Sequence, residues 1–100
     1  VPPRRQPPPP WELRLYIAGQ TVRSLRAIAN LEAICERELT SGYRIEVVDL
    51  LEHPECARED DVVAIPTLVR RFPTPPRKVI GDLSDVDRVL IGLELAPASA

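Results

Sequence analysis

A chain of 100 residues, 44% hydrophobic and 28% charged, suffices for one compact domain and is too short for two. Fifteen acids against thirteen bases leave a net charge of −2, so no overall positive field points to nucleic acid. No apolar run approaches the ~20 residues of a membrane helix, and the first residues lack the apolar stretch and small-residue cleavage site of a secretory signal. A cytoplasmic protein is expected.

Residues 1–10 read VPPRRQPPPP, and six prolines in ten residues predict an extended, polyproline-like, disordered tail. The folded domain is expected over 11–96, with 97–100 a second short tail. Trp11, Leu13, Leu15 and Ile17 alternate with Glu12, Arg14 and Tyr16, the period of a strand. Thr21 is a plausible N-cap for a helix running to about Leu39, with Val22, Leu25, Ile28, Leu31, Cys35 and Leu39 as its apolar stripe. Cys35 therefore reads as a small core residue. Gly42 suits the left-handed position after that helix. Tyr43–Leu50 is the next strand, and strand, helix and strand make a βαβ unit with parallel strands.

Residues 54–62, with Glu59-Asp60-Asp61, predict a short charged helix. Val62–Val69 reads as a buried strand interrupted by Pro66, which cannot donate to a ladder and so is expected at an edge, a bulge or a cis bend. Pro73-Thr74-Pro75-Pro76 turns the chain back into Arg77–Ile80. Ser84 is the expected cap of a last helix whose face is Val86, Val89, Leu90 and Leu93. The sum is an α/β domain of βαβαββα order, the plan of a thioredoxin-like fold.

The chemistry of that fold is missing. A thioredoxin-like oxidoreductase sets a cysteine at the start of its first long helix, where exposed amides and the helix dipole lower the thiol pKa. Here the turn reads Ala18-Gly19-Gln20-Thr21-Val22-Arg23-Ser24, without a cysteine. Ser24 has no histidine placed to activate it and reads as a solvated hydroxyl. Cys35 and Cys56 are expected as free thiols. His53, Glu55 and Cys56 have too loose a spacing for a metal site, and no cofactor is expected. Pro66 is the candidate cis-proline.

LRLYIAGQT (13–21), SLRAIANLE (24–32), YRIEVVDLLEHP (43–54), VAIPTLVRRFPTPPRKVIGDLSD (63–85) and VLIGLEL (89–95) resemble the KaiB family of circadian-clock proteins. The run from IPTL through RKVIGDLS to the final IGL is the most specific part. The resemblance implies a metamorphic protein: a βαββααβ ground state that forms homo-oligomers, typically tetramers, and a thioredoxin-like state that binds the N-terminal ATPase ring of a KaiC-type protein. It also implies competition with the sensor domain of the histidine kinase SasA. Carried over by position, Trp11, Ile91, Gly92 and Glu94 hold the fold balance, with tryptophan and glutamate where the family usually has tyrosine and aspartate. Gly92→Ala or Glu94→Arg is then expected to favour the thioredoxin-like form.

Arg23, Arg26, Arg70 and Arg77 align with the KaiC-facing surface; as isolated side chains they read as solvated arginines. On the strand implied to contact KaiA, Glu46 stands near Arg44 where the family carries lysine, which counts against KaiA as a partner. Two other functions remain: the sensor domain of a SasA-like kinase, and a divergent redox protein using Cys35 or Cys56. The absence of a kinase helix after Pro97 favours a standalone, non-enzymatic regulator, with neither nucleic acid nor membrane among its partners.

Overall fold

The structure, a computed structural model, describes residues 10–95. The proline-rich stretch 1–9 and the stretch 96–100 lie outside the described residues, and with them most of both expected tails.

Four strands and two helices follow in the order β1 (Glu12–Ile17), α1 (Val22–Glu38), β2 (Arg44–Asp49), β3 (Thr67–Phe72), β4 (Arg77–Ile80) and α2 (Val86–Gly92). The expected middle helix is a single 3-10 turn, Pro54–Arg58, started by Pro54 at its first position. The strands lie in the order β2-β1-β3-β4. β1 pairs with β2 in parallel and with β3 antiparallel, and β3 returns as β4 through the proline turn.

Alternation along β1 divides the sheet into two unlike faces. Leu13, Leu15 and Ile17 point to one side and pack with Ala27, Leu31, Ile34, Cys35, Leu68, Val79, Val89 and Leu93. That side is the main core, and both helices cover it. Tyr16 points to the other side, onto Val48 and Val69, where Leu50, Cys56 and Val62 close over it. Trp11 and Leu90 are half-buried against the main core.

Several expected elements shift. In α1 the buried arc is Ser24, Ala27, Leu31, Ile34 and Cys35, while Val22 and Leu25 are exposed at 70% and 52%. Apolar residues occupy more of this helix than the sheet can cover, and the small Ser24 and Ala27 allow the closest approach. The third strand starts at Thr67, not at Val62. Pro66 has no N–H for the ladder and Asp61 sits at a φ of 51°, so 62–66 runs as a loop, leaving Val63 89% exposed. At the last helix Asp85, not Ser84, is the cap: its carboxylate accepts from the Arg88 N–H, while the Ser84 N–H donates to Asp82. α2 stops at Gly92, with Glu94 beyond it at a φ of 53°.

Candidate interaction surface

The antiparallel entry of β3 brings four loops to one end of the sheet: Ala18–Thr21 after β1, Leu50–His53 after β2, Val63–Pro66 before β3 and Gly81–Asp85 after β4. Asp49 builds the first junction. Its carboxylate accepts from the Gly19 N–H at 3.0 Å and the Leu51 N–H at 2.9 Å, drawing the two loops together. Gly19 takes a φ of 73°, and a Cβ there would lie 3.0 Å from the Leu51 side chain, so the contact favours glycine on both counts. Thr21 then caps α1 by accepting from the Ser24 N–H. Ser24 is not the solvated hydroxyl its sequence context suggests: it is buried, and its hydroxyl accepts from Thr21 at 3.0 Å.

The last two loops are joined by the Gly81 N–H donating to the Pro66 carbonyl at 2.9 Å, and the Ile65–Pro66 peptide is cis. Asn30 of α1 reaches across to donate to the Asp82 carbonyl. Around this end Val22, Leu25, Leu51, Val63 and Ile65 are exposed. Arg23 and Arg26 stand exposed beside them on α1, close enough to Asp82 to affect it. The Asp82 carboxyl is held below its ordinary value, chiefly by hydrogen bonds from Ser84 and further by these two arginine charges. The end of the sheet is thus an apolar rim with a basic flank.

The four expected partner-facing arginines do not form one patch. Arg70 and Arg77 pair across β3 and β4 beside Leu13, nearer the proline turn than Pro66 is. The expectation of a solvated Arg70 is overturned, because its side chain is 4% exposed. Nη1 donates to the Leu93 carbonyl at 2.8 Å and Nη2 to the Pro75 carbonyl at 2.7 Å, which ties the end of α2 to the hairpin turn. Glu94 lies 3.4 Å from Arg77 and 3.9 Å from Arg70. Of the residues carried over for fold balance, Ile91 is exposed rather than core. Gly92 sits where a Cβ would come within 2.7 Å of the Val79 Cγ2.

Neither thiol reaches the helix start. Cys35 is fully buried inside α1, and burial pushes its pKa up to about 12. Cys56, on the 3-10 turn, is raised first by burial and then by the nearby Glu59 and Glu55 charges. Both are free, and both are disfavoured as thiolates, the reverse of what an attacking cysteine needs. Among the described residues, no three His, Cys, Asp or Glu side chains stand together as a metal site.

Sequence reasoning missed a polar network on the face opposite the helices. Arg14 Nε donates to Glu46 at 2.6 Å, and Nη1 donates to Tyr16 at 3.0 Å and to Glu59. The Tyr16 hydroxyl donates to Asp60 at 2.6 Å. Burial works against the Arg14 charge, but the bonds to Tyr16, Glu59 and Glu46 outweigh it and keep its pKa above the ordinary value. Burial and the bond to Asp60 push Tyr16 up to about 12, against the opposing influence of Arg14. The one local signal was that Arg14 and Tyr16 share the face of β1 turned away from its apolar residues.

The domain model of the KaiB family matches residues 14–95. Over 85 residues the chain is 45% identical to the circadian clock protein KaiB3 of Synechocystis sp., covering 85% of this chain and 83% of that one. It is 51% identical, again over 85 residues, to the circadian clock oscillator protein KaiB of Nostoc sp., covering 85% and 79%. Among solved structures, the N-terminal domain of Synechococcus elongatus SasA superposes with a TM-score of 0.71 at 19% identity, over 97% of this chain and 95% of that one. Mitochondrial thioredoxin 3 of Saccharomyces cerevisiae gives 0.67 at 20% identity, over 85% and 77%. At such identities the structural likenesses speak for the fold alone, and that fold is thioredoxin-like.

Proposed function

Because this chain belongs to the KaiB family, we propose that it is a non-enzymatic regulator of a Kai-type timing system that docks on the N-terminal ATPase ring of a KaiC-type protein. Membership implies protein partners of the Kai system. The observation that carries the reading is the end of the sheet. Where a thioredoxin presents its thiols, this chain presents Gly19-Gln20-Thr21 inside a rim of Val22, Leu25, Leu51, Val63 and Ile65, flanked by Arg23 and Arg26. Exposed apolar side chains beside guanidiniums that hold no ion pair among the described residues make a protein-binding surface, and the arginines select an acidic partner.

In this reading the thioredoxin-like form is the binding form. It exchanges with a βαββααβ oligomer, expected to be a tetramer, and competes with a histidine-kinase sensor domain for the same ring. KaiA is not among the proposed partners, because Glu46 is held by Arg14 on the strand that would meet it. The test is size-exclusion co-elution of the full chain with a KaiC-type ATPase in ATP and in ADP. Wild type should co-elute, and Arg23→Glu or Arg26→Glu should weaken binding about tenfold with an unchanged melting temperature. Raised salt should weaken wild-type binding too. Equal binding by both variants would overturn the surface assignment, and no binding under either nucleotide would overturn the partner.

The SasA N-terminal domain shares this fold, so the fold alone does not separate the regulator from a second reading, in which this domain senses the ring on behalf of a kinase. Displacement separates the two: a regulator competes with a SasA-type domain for the ring and forms its own oligomer, whereas a sensor domain stays monomeric.

A further inference from the structure

On the face opposite the helices, the 3-10 turn and the loop after it cover only the end around Tyr16, Val48 and Val69. The other half is a recess of about 180 Å³ lined by Glu12, Leu13, Arg14, Arg44, Glu46 and Arg71. Its three guanidiniums come from three neighbouring strands. Arg14 is already committed to Glu46, Glu59 and Tyr16 and forms a fixed wall. The other two are not. Arg44 comes no nearer than 3.8 Å to Glu12, and Arg71 no nearer than 3.6 Å to Asp60; both distances exceed a hydrogen bond.

Register places Arg71. β1 pairs Leu13 with Arg70 and Glu12 with Phe72, so the shift between Glu12 and Leu13 leaves Arg71 as the extra residue of a bulge. Val69 faces the Tyr16 side and Arg70 the main core, so strand alternation carries Arg71 to the face of Val69, where it lines the recess that Arg44 enters from β2.

We infer that this recess binds a phosphate group. Arg44 and Arg71 approach from opposite sides of β1, so one anion must offer acceptors in more than one plane. A planar carboxylate satisfies one fork edge-on, whereas a tetrahedral phosphate presents oxygens to both. The internal competitors are Glu12, which the incoming anion displaces from Arg44, and Asp60, from which it draws Arg71.

The experiment is a ¹H–¹⁵N NMR titration of the full chain with inorganic phosphate and, separately, with glycerol phosphate, sodium chloride holding ionic strength constant. Saturable shifts are expected at Glu12–Arg14, Arg44–Glu46 and Arg71. Arg44→Gln and Arg71→Gln should each weaken binding about tenfold; both side chains are well exposed, at 71% and 41%, so the variants should remain folded. Glu12→Gln should tighten binding, as removal of the carboxylate that competes for Arg44 requires. Shifts with inorganic phosphate alone assign free phosphate, and shifts with both probes assign the group as carried on a monoester. Shifts no larger than the chloride control, or unchanged in both arginine variants, would overturn the site.

Discussion

Arg70 looks in the sequence like any surface arginine, yet its fork closes on two carbonyls and its side chain is buried. Its Nε has no hydrogen-bond partner among the described residues, so the two Nη bonds and the nearby Glu94 carboxylate compensate for burying the charge. Arg70→Ala would orphan the Leu93 and Pro75 carbonyls and should lower stability by about 2–4 kcal/mol in urea titration. Arg70→Lys should recover only part of this, because one ammonium cannot fork to both. The same cluster bears on an expectation drawn from the family. Glu94→Arg would set a third cation beside Arg77 and Arg70, so it should destabilise this thioredoxin-like form; a raised melting temperature with no change of fold would refute that. Tyr16 adds a pH dependence. Its proton is held more tightly in the folded state, so the stability it contributes is complete below pH 10 and is lost as pH rises toward about 12. Denaturant titrations across that window should show a loss of roughly 2–3 kcal/mol from Tyr16, and Tyr16→Phe should remove that part and leave the loss contributed by the buried Cys35 thiol.

Among the elements, α2 carries the strongest constraint on substitution. Alanine at position 92 would gain up to ~1 kcal/mol of helix propensity, but its Cβ would meet the Cγ2 of buried Val79 at 2.7 Å, and a β-branched side chain is stiff at χ1. Gly92→Ala alone should therefore destabilise this form. In the Val79→Ala background the same change should be neutral or stabilising, a coupling that a double-mutant cycle measures directly. What the sequence revealed follows the same line between local and distant causes. β1, the start of α1 at Thr21, the hairpin and the thiol-free turn were legible because alternation, capping and breakers act over a few residues. The start of β3 was not, since VVAIPTLV is apolar but for Thr67, shows no alternation, and only ladder pairing decides where it begins. Ser84 and Asp85 are both good caps, and neighbours outside the helix choose between them. Arg14 meets Glu59 across 45 residues, and Arg70 meets Leu93 across 23; neither distance leaves a mark in periodicity.

At the scale of the molecule, the sheet divides its labour. One face is sealed by helices, one end offers the apolar rim proposed to meet the ATPase, and half of the remaining face holds the charged recess. The tie from Arg70 to the end of α2 has a consequence for how the molecule opens. β1 is bonded on both sides and its apolar residues are buried, so its amides should exchange with deuterium only through global unfolding. α2 is seven residues long, buries only Val89 within its span and is fastened at its far end by one guanidinium. Its amides should exchange through a separate, lower-energy opening. Arg70→Ala should quicken that opening by more than its loss of global stability accounts for. Equal protection of α2 and β1 in the wild type would mean the helix is not a separate unit. If the two separate, residues 86–95 are a detachable flap, able to leave and rejoin while the four strands stay closed.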